Sequence, residues 1–353
     1  MKVGQQVELS SEVMIDTNTN TLQSIASAVR QHDTVVTLTR LADPLFILAP
    51  PRSFAAVIGA MLGQHPQLYG LPETHLFGCK TLAEWWDRSS QGTFNMSHGL
   101  LRAVAQLYFG QQTETSIRLA SGWLRRRLDF TTGFLLEKLA ERVHPRILVY
   151  KSPSIVYRLE SLQQACTMFP LAKFIHLLQH PRGYGEAVME TIREAAAHGP
   201  VPQWMLHLAS YPELSTSESE LHSQDLDPQR AWYALNWNIC AFLEAIPDDQ
   251  KLRIRGEELL SNSDQGLRFL AEWLGIRTDA EAIEEMKHPE RSPYACFGPP
   301  GARYGNDHFF LRNPALRPGP AEPHSLAGPL SWREDRQGFS PKVKELAQQF
   351  GYE

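Results

Sequence analysis

Short apolar runs of strand length recur along this chain, each separated from the next by enough residues for a helix: LFILAP from 45, LYGL from 68, RILVYK from 146, AKFIHLLQ from 172 and KLRIRG from 251. This alternation constrains the fold more than any other feature. A strand that reads as a nearly continuous apolar run is buried on both faces, and parallel strands need helical crossovers to connect them. The expected class is therefore α/β, a central parallel sheet of about five strands with helices on both faces in three layers. The spacing is uneven. Residues 79–142 and 184–245, with TLAEWWDRSS, GWLRRRLDFTTGFLLEKLAERV and PQRAWYALNWNICAFLEAI, read as helical insertions that roof the carboxyl ends of the strands, where open α/β sheets bind ligands. Residues 1–40 are polar, rich in Thr, Ser, Asn and Gln, and read as an appended arm, leaving 41–353 as a single domain.

Composition excludes several functions. At 353 residues and 42% hydrophobic the chain can bury a large core, and a net charge of -5 offers no electrostatic footprint for nucleic acid. Cys79, Cys166, Cys240 and Cys296 form no CxxC or metal-like spacing, so neither a disulfide framework nor a zinc site is expected, and no metal is called for. No apolar run approaches membrane-spanning length and the first residues lack a signal-peptide core, so the expectation is a cytoplasmic protein with reduced thiols.

The stretch LFILAPPRSFAAVIGAMLG, residues 45–63, runs a strand through a Pro50-Pro51-Arg52-Ser53 turn into a helix with Val57, Ile58, Met61 and Leu62 at helical spacing. Such a turn aims unpaired N–H groups and the positive helix end at whatever lies above it. An anion suits that geometry. Arg52 brings a fork of donors for phosphate or sulfonate oxygens, and Ser53 either caps the helix or donates to the same group. The GxxxxGK[ST] pattern of nucleotide hydrolases is absent.

Four segments in order, PPRSFAAV, YKSPSIVYRLESL, FIHLLQHPRGYGEAVM and RIRGEELLSNSDQGLRFLAEWLGI, resemble the donor-binding elements of the sulfotransferases that use 3′-phosphoadenosine 5′-phosphosulfate (PAPS), over residues 45–276. APPRSF, GLPETHLF and HPERSPYACFGPPGARYGND look like a bacterial branch that includes stand-alone proteins and domains of polyketide assembly lines. The resemblance implies a P-loop-like sulfotransferase fold, PAPS as co-substrate, and transfer of a sulfonyl group to a hydroxyl of a small metabolite or of an acyl chain on a carrier protein. It also exposes departures. Where the family has Gly-Thr-Thr at the phosphosulfate loop, this chain has Phe54, Ala55 and Ala56, and at the 3′-phosphate position Gln179 and Ala187 replace the usual Arg and Ser. Arg182 and Arg303 are the cations left to supply that charge. The alternative reading is a protein of this fold that has given up PAPS and binds another ligand or acts without it.

By the same resemblance, Arg52 and the Ser53 end of the helix serve the leaving 5′-phosphate, and Glu73 in GLPETH takes the acceptor's proton, with His75 as the rival base. Lys151, at the end of the RILVY strand, faces the same cleft as an anion contact, and Ser152 and Ser154 follow it in turn-forming positions. Residues 288–314 hold five prolines and three glycines without apolar periodicity and read as a lid loop, in which Gly305 and Arg303 of GPPGARYGND wrap the nucleotide. The aromatics at 84–86 and 232–237 form core or line an acceptor pocket, core being the reading helical spacing favours. Arg125, Arg126 and Arg127 read as a solvated face that could also dock an acidic acyl carrier protein.

Overall fold

A computed structural model describes residues 41–91, 96–198, 201, 226–317 and 325–353. The polar arm expected over 1–40 lies outside them. Five parallel strands, β1 (Leu45–Leu48), β2 (Leu68–Gly70), β3 (Ile147–Lys151), β4 (Lys173–Leu178) and β5 (Lys251–Arg255), form one sheet in the order β2-β3-β1-β4-β5. They are the five apolar runs of the sequence. Leu45 pairs with Val149 of β3 on one side and Lys173 of β4 on the other, so β1 is central. The chain builds β2 and β3 on one side of β1 and β4 and β5 on the other, which opens a crevice beyond the carboxyl ends at this switch point.

Alternation along β1 divides the core in two. Phe46 and Leu48 face the larger cluster with Leu148, Tyr150, Phe174, Trp85 and Trp232, whereas Leu45 and Ile47 face Ile58, Met61, Leu62, Leu267 and Leu270. Each face thus has its own helical cover. Trp85 and Trp232 are fully buried, which decides for core at those positions, while Trp237 is exposed. The first insertion is four helices, Leu82–Gln91, Met96–Phe109, Glu114–Arg125 and Thr132–Val143, the third started by a capping box between Thr113 and Ser116. The second contributes Pro181–His198 and Gln229–Leu243.

Of the two roles open to Ser53, capping is not the one taken. Ser53 does not cap the helix Ala55–Leu62: the N-cap is Phe54, in the left-handed region at φ 60°, with no side-chain cap. The 288–314 segment contains the turns Pro289–Arg291 and Pro300–Ala302 and the helix His308–Arg312, with Tyr294 buried against Tyr69.

The helix Ala55–Leu62 lies so close to β2 that a Cβ on Gly63 would stand 2.7 Å from the Cα and N of Gly70. Backbone cannot yield there. Gly63→Ala is expected to destabilise the fold by about 1–3 kcal/mol through overpacking, read from urea denaturation. The control Gly122→Ala, whose Cβ would meet nothing nearer than an Arg126 nitrogen at 3.5 Å, should leave stability unchanged or raise it by up to about 1 kcal/mol.

Candidate active site

The carboxyl ends of β1, β2 and β3 bring three turns together. After β1 the backbone takes positive φ at Arg52 (70°) and Phe54 (60°), and after β2 at His75 (53°). Among the described residues the only other non-glycine in this region is Arg336, so backbone strain is concentrated at this crevice. The Phe54 ring accounts for its unusual place: it lies against Gly256, where an added Cβ would come within 2.4 Å of the ring. Around this turn the amide N–H groups of Ser53, Phe54, Ala55 and Ala56 bond to no acceptor among the described residues. The Ser53 hydroxyl, 1% exposed, and Arg52 Nε are likewise buried without a partner. A cluster of unused donors at a helix N-terminus is a ready anion site.

Lys151 ends β3. Its aliphatic stem crosses Gly59, where a Cβ would stand 3.0 Å from Lys151 Cγ, and the side chain as a whole is 3% exposed. A buried ammonium needs acceptors. Glu73 Oε1 accepts from it at 3.1 Å, and Asn306 Oδ1 accepts on the other side. Glu73 Oε2 stands 3.9 Å from His75 Nε2. Ser152 Oγ accepts from the Thr74 and His75 amides at 2.9 and 3.2 Å, which fixes the turn carrying both candidate bases. Burial pushes the His75 imidazole below its ordinary value and Lys151 adds to this, while Glu73 opposes it. His75 is therefore neutral near pH 7 and fit to accept a proton.

The remaining contacts join Gly305, which the sequence reading named, to Gly99, Asn306 and Asp307, which it did not. Glu73 N–H donates to Gly305 O at 2.7 Å, and Gly99 lies so close that a Cβ there would be 1.9 Å from Glu73 O. Arg52 pairs with Asp307 and lies 4.1 Å from the centroid of the Phe309 ring. Burial pushes the Asp307 carboxyl up, but Arg52 and the Phe310 amide outweigh it and hold the group below the usual carboxylate range. The GPPGARYGND segment thus reaches the site through Gly305, Asn306 and Asp307. Arg303 is exposed over the Phe297 ring and makes no hydrogen bond to this cluster. The signal for them in the sequence is the Asn-Asp pair directly after Gly305. Arg102, fully buried on the helix Met96–Phe109, holds the segment by donating to Tyr304 O at 2.9 Å and to Gln112.

Beyond β4 the expected 3′-phosphate residues are separately employed. Gln179 is buried, with its side-chain oxygen unpaired, while its carbonyl accepts from Trp232 Nε1 at 2.8 Å. Ala187 lies within the helix Pro181–His198. Arg182 donates to the carbonyls of Ser325, Ala327 and Pro329 at 3.0, 2.6 and 2.9 Å, and the Trp332 indole covers Gly185. Ser154 Oγ is buried and unpaired.

A sequence profile of the sulfotransferase family matches residues 44–280. The chain belongs to the sulfotransferase family. Membership supports a transferase activity, and the matched span holds the Arg52 turn, Glu73, His75, Lys151 and Gln179 but not Asn306 or Asp307. Among solved structures, the sulfotransferase domain from the curacin biosynthetic pathway is similar with a TM-score of 0.65 and 21% identity, covering 89% of this chain and 99% of that one. The sulfotransferase domain of the Synechococcus PCC 7002 olefin synthase gives 0.63 and 22%, covering 88% and 96%. Both share the fold. No curated protein matches the sequence. No helix among the described residues is long and apolar enough to cross a membrane.

His75 supplies a pH test. Its folded-state pKa is depressed, whereas the unfolded imidazole takes a proton near 6.5. The unfolded state therefore binds more protons in the window below about pH 6.5, and stability falls as pH falls through it. His75→Gln should lose less stability than wild type between pH 7 and pH 5, measured by urea titration at both values; an equal loss would show that His75 does not contribute.

Proposed function

We propose that this sulfotransferase-family protein moves a sulfonyl group from PAPS to a hydroxyl, on a small metabolite or a carrier-bound acyl chain, in cytoplasmic secondary metabolism. The observation that carries this reading is the Arg52 turn, where free amides, a buried unpaired Ser53 hydroxyl and an unpaired Arg52 Nε converge beside Lys151 and Glu73. These donors fit the 5′-phosphosulfate end of the donor. Arg52 and Ser53 would hold the leaving phosphate, and the donor itself supplies the activated sulfonyl group. The acceptor oxygen forms the new S–O bond as the S–O bond to the 5′-phosphate breaks, and adenosine 3′,5′-bisphosphate leaves. Positioning and charge stabilisation dominate such in-line transfers. The acceptor's proton goes to Glu73, whose Oε2 is not engaged by Lys151, or to neutral His75.

Glu73→Gln should abolish turnover and leave affinity for adenosine 3′,5′-bisphosphate within about threefold, because a base serves the acceptor and not the donor. Unchanged turnover would point to His75 or to no base at all. An acidic carrier protein fits Arg125, Arg126 and Arg127, of which Arg125 lies over Trp86 and Arg127 over Trp123.

A second reading is favoured by a specific observation. Arg182 is committed to three carbonyls, and Gln179 and Ala187 lack the charge and hydroxyl of the family's 3′-phosphate site. A protein of this fold that has given up PAPS and binds another ligand would look this way. Calorimetric titration of wild type and the double variant Gln179→Arg, Ala187→Ser with adenosine 3′,5′-bisphosphate and adenosine 5′-phosphate separates the two. A PAPS enzyme prefers the bisphosphate by more than about tenfold in wild type, roughly 1.4 kcal/mol. Without PAPS use, wild type shows no preference and the double variant gains about 2–4 kcal/mol for the bisphosphate from one charged and one neutral contact.

A further inference from the structure

The candidate anion site is electrically balanced from within. Lys151 faces Glu73 and Arg52 faces Asp307, two cations against two carboxylates. Any phosphate or sulfonate arriving at Arg52 meets a carboxylate already seated there.

Asp307 is held in that position from several sides. Arg102 fixes Tyr304 on the near side, and the Glu73 amide fixes Gly305. On the far side Glu194 binds His308 at 3.0 Å and also Arg312. Asp307 Oδ1 accepts from the Phe309 and Phe310 amides at 2.9 and 3.1 Å, leaving Oδ2 for Arg52. A group tethered this firmly acts at an effective concentration of roughly millimolar or more. Yet Ser53 Oγ, Arg52 Nε and the nearby amides stay unpaired, so the carboxylate satisfies the charge of the site without filling it.

We propose that Asp307 is a built-in competitor for the anion site: its carboxylate takes the position at Arg52 that a phosphate or sulfonate group would occupy, and such a group binds by displacing it. The inference rests on the anion-site reading above but not on the identity of the donor.

The test uses the full chain, with inorganic pyrophosphate and adenosine 3′,5′-bisphosphate as probes, titrated by calorimetry into wild type, Asp307→Asn and Asp307→Ser. Both substitutions keep a side-chain oxygen able to cap the helix His308–Arg312, so either preserves the local fold while removing the charge. Thermal melting verifies this. Pyrophosphate should bind about tenfold more tightly to the variants than to wild type, roughly 1.4 kcal/mol. Adding Arg52→Met to Asp307→Asn should abolish the gain. A gain below about threefold, which is under 1 kcal/mol, or weaker binding, would overturn the proposal and make Asp307 a residue that orients Arg52. If the variants gain for pyrophosphate but the bisphosphate binds no better than pyrophosphate to any of the proteins, the donor reading fails and the competitor stands.

Discussion

A lysine side chain that is 3% exposed takes its ammonium out of water, where its donors need close acceptors, and the candidate site is arranged around meeting that need at Lys151. Its two partners come from distant parts of the chain. Glu73 follows β2 and Asn306 lies 155 residues beyond the lysine, so one buried charge ties the first and last thirds of the domain across the carboxyl ends of the sheet. Removing either partner would leave a buried cation underpaired, which costs far more than an exposed ion pair is worth.

The Arg52 turn shows how a strained backbone shape can carry a bulky side chain. Position 54 stands in the left-handed region, where a side chain costs about 1–2 kcal/mol relative to the right-handed form. Phenylalanine occupies it nonetheless. Its ring packs with the cluster that covers one face of the sheet and closes on Gly256, and burial of an aromatic side chain is worth about as much as the strain. The turn therefore keeps its unpaired amides with phenylalanine in the left-handed position.

Arg102 and Arg182 are the structural counterparts of this site. Each places its guanidinium on backbone carbonyls, Arg102 on the segment leading to Gly305 and Arg182 on the 325–329 turn. Five donors in a fixed fork suit this task better than a lysine would. The consequence at Arg182 is a cation spent on the fold that the sequence had offered to a ligand.

The five strands, their parallel arrangement and the helices between them were determined by the sequence itself, because apolar runs buried on both faces have few other solutions. The Arg52 turn and Lys151 at the end of β3 were equally legible, since strand followed by turn followed by helix is a local pattern, whereas Glu73, three residues past β2, rests on resemblance alone. The employment of charged side chains was not. That Arg182 would hold the carbonyls of the 325–329 turn, and that Asn306 and Asp307 would close on Lys151 and Arg52, depended on contacts between residues 143 to 255 positions apart. No periodicity records such pairings. Only the tertiary structure decided them, because burial creates the demand for a partner and the fold alone determines which groups lie near enough to meet it.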